Sequence, residues 1–229
     1  MSQREQAYEA IRKVILEGEV PIGETQSERK FAETYLRGEE LGRTPIREAL
    51  AVLALRGLIR QLPQVGFSVP PVRAPDAERT VQIRHAMEGV IVEQLPENLA
   101  GNRMGGTVDR MKRAAKNEDS FEFMTAVRDF HVDLCKSADY AQEAQGVGAF
   151  YDRLQLYFCT VRQPIRHEEM DKMADLYERF LERAIESDVR SAVRVFQETA
   201  QFELALIRER APDFDASEVG VPAIVAATA

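Results

Sequence analysis

The sequence predicts a mainly α protein: an N-terminal winged helix-turn-helix with a small β-hairpin, followed by an all-helical bundle domain. Three observations predict it. Apolar residues recur at helical spacing in three short segments before Gly57. The period then drops to two from Leu58 to Val69, and from Asp76 to Arg210 helical spacing returns with almost no strand signal.

The first segment, Gln3 to Glu19, places Tyr8, Ile11, Val14 and Ile15 on one face, and Gly18, Pro21 and Gly23 stop it. Ser27 precedes a second helix, with Glu28 in its first turn where negative charge is favoured, Phe31, Tyr35 and Leu36 on one side, and an end near Gly38. A third helix is signalled by Thr44 as N-cap and Pro45 at the first helical position. Ile46, Leu50 and Leu53 form its buried stripe and Gly57 closes it. Leu58 to Leu62 and Phe67 to Val69, separated by Pro63-Gln64-Val65-Gly66, read as a two-stranded ribbon.

Three prolines within Pro70 to Pro75 mark an extended connector. The domains are therefore expected at 1–70 and 77–210, joined by a linker at 71–76, with a loose C-terminal tail at 211–229. Within the second domain the expected helices are Arg79 to Leu95, Thr107 to Lys116, Ser120 to Lys136, Ala141 to Arg162, Glu168 to Glu186 and Asp188 to Arg210. Pro96-Glu97-Asn98, Gly105-Gly106, Ser137-Ala138-Asp139 and Gln163-Pro164 are expected to break them.

Composition narrows the functional classes. With 45% hydrophobic and 30% charged residues in 229, the chain can bury a core, and no apolar run reaches the ~18 residues that a membrane span needs. The start lacks an apolar secretion signal, so a cytoplasmic protein without membrane contact is expected. Two cysteines, Cys135 and Cys159, are too few for a disulfide scaffold or a Cys-rich zinc site and read as small buried hydrophobes. There is no Gly-rich phosphate loop, no His-Glu-x-x-His pair, no di-iron Glu-x-x-His pair and no nucleophile elbow, so no enzyme is expected.

The net charge of −8 hides a division: residues 1–75 carry 11 basic and 10 acidic side chains, and the remainder 19 basic and 28 acidic. Between residues 41 and 73, Arg43, Arg47, Arg56, Arg60 and Arg73 face Glu48 alone, a local excess where a polyanion can dock. Arg43 and Arg47 are one turn apart on the third helix, opposite its apolar stripe. Guanidinium groups there can reach guanine edges or phosphates, and Thr44 can bond a phosphate at the positive helix end. Arg29, opening the second helix, would reach the backbone alongside, and Gly66 suits a wing tip that approaches a groove closely.

The run from Ala10 to Gly18, then Gly23, Ser27-Glu28-Arg29-Lys30-Phe31-Ala32, Arg43-Thr44-Pro45-Ile46-Arg47-Glu48-Ala49-Leu50, and Leu53 to Ile59 resembles the DNA-binding domain of GntR-family transcription regulators. That resemblance implies that Arg29, Arg43, Thr44, Arg47 and Gly66 contact double-stranded operator DNA. Before the third helix the chain is about four residues longer than the family pattern, and Gly42 stands where a serine is common. Glu39 and Glu40 fall in that insertion.

Residues 77 to 210 resemble the FCD domain of the FadR subfamily through Arg84 with Glu88, Phe130-His131, Ala184-Ile185 and Asp188 to Ala192. This resemblance implies a homodimer and a small-molecule effector, an organic acid or acyl compound, with Arg84, His131 and Glu178 as candidate contacts. The family's metal ligands, one aspartate and three histidines, fall here on Val127, His131, Glu178 and Thr199. Two possible donors, His131 and Glu178, do not make a stable site, so no metal or other cofactor is expected. By residue type alone, Arg84 is equally an internal ion-pair partner of Glu88 one turn later. The expected function is effector-modulated DNA binding; the alternative is a constitutive regulator whose ligand-free bundle acts through dimerisation or a protein partner.

Overall fold

Local backbone chemistry sets where the N-terminal helices begin. In the computed structural model, which describes residues 2–95 and 102–211, helix α1 (Gln3–Leu16) opens with a capping box. Ser2 Oγ accepts from the Glu5 amide at 3.2 Å, and Glu5 Oε2 accepts from the Ser2 amide at 2.7 Å. Helix α2 (Glu28–Tyr35) starts on the expected cap: Ser27 Oγ accepts from the Lys30 amide at 3.3 Å. It ends three residues before Gly38. Helix α3 (Arg43–Leu55) corrects the sequence reading, because its N-cap is Gly42 and Thr44 and Pro45 are its second and third residues. Proline is tolerated there, since the first-turn amides have no intrahelical acceptor.

The wing is a three-stranded antiparallel sheet and not the expected two-stranded ribbon. Strand β1 (Thr25–Gln26) adds to β3 (Gly66–Ser68), which also pairs with β2 (Arg60–Leu62), in the order β1-β3-β2. Phe67 on β3 meets the edge of Phe31 on α2 at 5.1 Å between ring centroids, and both are fully buried. Ile46, Leu50 and Leu53 of α3 complete this core, as their spacing predicts, together with Ala49.

The connector is pinned. Val72 is buried and its amide donates to Thr160 Oγ1 at 3.2 Å. Only Pro70 to Arg73 stay outside helices, because α4 (Ala74–Glu93) already starts at Ala74 with Pro75 in its first turn, a position that suits proline. The expected linker at 71–76 is thus shorter than its proline content suggests.

The second domain continues with α5 (Asn102–Lys116), α6 (Ser120–Ser137), α7 (Ala144–Val161), α8 (His167–Ile185) and α9 (Val189–Arg210). These six helices close a ring: α4 packs on α7, α7 on α6, α6 on α5, α5 on α8, α8 on α9, and α9 back on α4. Gly105-Gly106 lies inside α5 and does not break it. Met104, Thr107, Val108 and Met111 form a buried stripe whose burial outweighs a glycine cost of about 1 kcal/mol each. Arg210 at the end of α9 reaches Glu169 at the start of α8, 2.6 Å away and buried. The Pro96-Glu97-Asn98 break and residues 212–229 of the expected tail lie outside the described residues.

Head and bundle meet along α1 and α7. Arg12 donates to Asp152 Oδ1 through Nε at 2.8 Å and Nη2 at 2.6 Å, with both residues buried. Cys159 donates its S–H to the Leu16 carbonyl at 3.1 Å. Both cysteines are free thiols, and burial pushes their pKa up, to about 12 for Cys135 and about 11 for Cys159.

Candidate nucleic-acid interface and bundle centre

Arg29, Arg43, Thr44 and Arg47 are all exposed, on adjoining ends of α2 and α3. α2 supplies Arg29 in its first turn, and α3 supplies Arg43 and Arg47 opposite its buried stripe. Arg47 Nε donates to Glu28 Oε2 at 2.7 Å, and Arg29 lies 3.8 Å from Glu33. Glu28 therefore holds Arg47 in the free protein, a contact between residues 19 apart that helical spacing does not show. A cleft of about 590 Å³ opens beside it, lined by Glu28, Arg47 and the wing residues Gln61 to Gly66. Glu39 and Glu40 are exposed in the turn before α3.

Gly66 is not at the wing tip. It opens β3 opposite Leu62, while Pro63 to Val65 form the turn. Its φ of +136° favours glycine, and a Cβ there would lie 2.0 Å from the Gln26 carbonyl oxygen. Glycine at this position lets β1 and β3 pass close together.

The ring of helices encloses a polar centre. Arg84 on α4 donates to Glu88 at 2.8 Å, to the Tyr151 hydroxyl on α7 and to Glu203 on α9. Its guanidinium carbon also sits 4.3 Å above the Tyr151 ring. His131 on α6 lies 2.8 Å from Glu88 through Nδ1 and 2.7 Å from the Tyr177 hydroxyl on α8 through Nε2. All six residues are buried. Arg84 and His131 both reach Glu88, and Arg84 makes the internal pair with Glu88 that its spacing allowed.

Burial works against the ionised form of each group, and the neighbours decide the outcome. Burial opposes charge on Glu88, but His131 and Arg84 outweigh it and hold its pKa below the ordinary glutamate value. Burial keeps His131 below the ordinary histidine value despite Glu88. Burial raises Glu203 to about 7, with Arg84 opposing. At neutral pH the centre therefore holds a charged Arg84 balanced by Glu88 and a partly protonated Glu203.

Glu178 stands apart from this centre. It is half-exposed, 2.5 Å from Lys112 Nζ on the outer side of α8, while its neighbour Tyr177 points inward. The four positions carried over from the family's metal site do not form one: Val127 has no donor, Thr199 Oγ1 donates to the Phe196 carbonyl at 2.7 Å, and Glu178 faces outward. The other histidines do not converge on His131, since His85 stacks on Phe196 and His167 bonds the Ala115 carbonyl. These residues do not fit a metal ion, and among the described residues no three His, Cys, Asp or Glu side chains are grouped to hold one.

Residues 3–69 match the model for bacterial regulatory proteins of the gntR family, and residues 79–202 match the FCD domain. The chain belongs to the GntR family. A GntR-type head followed by an FCD domain is the FadR-like architecture, and the chain is a DNA-binding transcription regulator and not an enzyme. It is 25% identical over 226 residues to an uncharacterized HTH-type transcriptional regulator of Streptomyces ambofaciens, covering 95% of this chain and 91% of that one. It is 30% identical over 131 residues to a probable D-xylose utilization operon transcriptional repressor of Paenarthrobacter nicotinovorans, covering 56% of this chain and only 55% of the relative.

The GntR fold is shared with E. coli McbR/YncC at a TM-score of 0.76 and 18% identity, over 92% of this chain and 99% of that one. A putative GntR regulator of Rhodococcus sp. RHA1 follows at 0.75 and 17%, over 91% and 99%. Among the described residues no helix is long and apolar enough to cross a membrane.

Proposed function

We propose that this GntR-family regulator works as a homodimer on a two-fold operator, in the cytoplasm, with Arg43 and Arg47 entering the major groove. Arg29 and Thr44 hold the adjoining phosphates, and the wing turn Pro63 to Val65, beyond Gly66, follows the groove. The observation that carries this reading is the shared exposure of Arg29, Arg43, Thr44 and Arg47 on one face of the head. On binding, phosphate replaces Glu28 as the partner of Arg47.

A small-molecule effector modulating operator affinity is the second part of the proposal. An effector switches the protein only if it prefers one arrangement of the two heads. Arg84 and His131 remain the family-derived candidates for holding it. One observation favours the alternative of a constitutive regulator: Glu88 and Glu203 already occupy Arg84, so the bundle centre offers an incoming acid no unpaired cation.

Fluorescence anisotropy against duplexes tiled across the DNA flanking the gene, at two salt concentrations and with random duplex as competitor, tests the reading. Competitor-resistant binding to one two-fold segment is expected. Uniform, salt-sensitive binding to every duplex would contradict it.

A further inference from the structure

The bundle centre is filled by its own side chains, whereas the joint between head and bundle leaves a cavity. A cleft of about 320 Å³ lies between the end of α1, the start of α6 and the end of α7. This volume is in the range of small-molecule sites, which favour domain interfaces. Leu16, Phe121, Met124 and Phe158 give it apolar walls, and Gln155 and Arg162 add polar groups.

Those two polar residues are unused by the fold. Gln155 is 5% exposed, lines the cleft, and its side-chain amide has no hydrogen-bond partner among the described residues. Arg162 sits at the rim, at the left-handed C-cap of α7 (φ 54°), and makes no ion pair among the described residues. The acid at the rim, Glu17, lies 3.8 Å from Lys13. Arg162 is the cation left for an incoming acid.

We propose that the cleft binds a small amphiphilic monocarboxylate. Its aryl or alkyl body lies between Phe121, Met124, Phe158 and Leu16, the Gln155 amide bonds an oxygen, and Arg162 pairs with the carboxylate. The inference rests on the effector reading above and moves the effector from the bundle centre to the interdomain joint. There a ligand touches Leu16 at the end of α1 and the carboxyl-terminal turns of α7 at once, so filling the cleft bears directly on how the head sits on the bundle.

The chain has no tryptophan, so Phe121→Trp gives a single reporter at the cleft in the full-length protein. The probes are 4-phenylbutyrate and octanoate, with 4-phenylbutanol and octanol as uncharged counterparts. A saturable emission change with the acids is expected, weakened about tenfold by adding Arg162→Gln and unchanged for the alcohols. Calorimetry on the wild type and Arg162→Gln alone guards against a disturbance by the reporter. No saturation by either acid up to about 10 mM in both measurements overturns the site, as does equal acid binding by Arg162→Gln. Operator anisotropy read separately distinguishes the two proposals: a cleft that fills without altering operator affinity keeps the site and refutes its effector role.

Discussion

Arg12 of α1 and Asp152 of α7 form a buried ion pair, 2.6 Å apart, between residues 140 apart in sequence. Arg128 Nε lies 3.1 Å from the same Asp152 oxygen, so a single carboxylate serves two cations. Removing Asp152 strands the buried Arg12 guanidinium, while the half-buried Arg128 keeps Asp129 at 3.2 Å. Asp152→Ala should cost about 3–5 kcal/mol in urea unfolding followed by circular dichroism. Combining it with Arg12→Met should recover part of that loss, because the stranded charge goes with it. A loss under 1 kcal/mol for the single variant would show that the pair does not hold head to bundle.

The close passage of β3 over Gln26 gives a second expectation. Gly66→Ala puts a methyl group where the Gln26 carbonyl stands, at a φ that an L side chain rarely adopts. The head should lose about 1–3 kcal/mol or more, and β1 should detach from β3. Hydrogen exchange at the β1 and β3 amides reads this directly. Unchanged protection would mean that the strands are not held by this contact.

Glu203 makes the bundle sensitive to pH. Burial holds its carboxyl up at about 7, above the ordinary 4.5, so the stability it contributes is fully present below 4.5 and lost as pH rises through about 7. His131, lowered by burial, acts in the other sense: its contribution is present above 6.5 and lost as pH falls. Comparison with Glu203→Gln cancels the histidine effect. From about pH 5 to about pH 8 the variant should gain roughly 1–3 kcal/mol relative to the wild type in denaturant unfolding. Parallel pH profiles would contradict the assignment.

The sequence discloses these features unequally. The stripe Ile46, Leu50 and Leu53 is legible because helical burial repeats within a few residues, and so is the Arg84–Glu88 pair one turn apart. Strand β1 is not legible, since two residues, Thr25 and Gln26, are too few to show a period of two. Glu203 joins Arg84 across 119 positions, beyond any local spacing signal. The place beside His131 expected for Glu178 belongs to its neighbour Tyr177; a shift of one residue turns a helical side chain by about 100°, enough to move it from core to surface. Arg43 and Arg47 are legible by position, and the grip of Glu28 on Arg47 appears only once α2 and α3 are docked.

The most direct measurement is operator binding by Arg43→Gln, Arg47→Gln and the double variant, by anisotropy on the selected two-fold duplex at two salt concentrations. Both side chains are exposed, so the fold should survive, with melting temperature as the control. Each single change is expected to weaken specific binding by about 1–3 kcal/mol, and the double variant should bind operator and random duplex nearly alike. Unchanged operator affinity in a folded double variant would contradict the account.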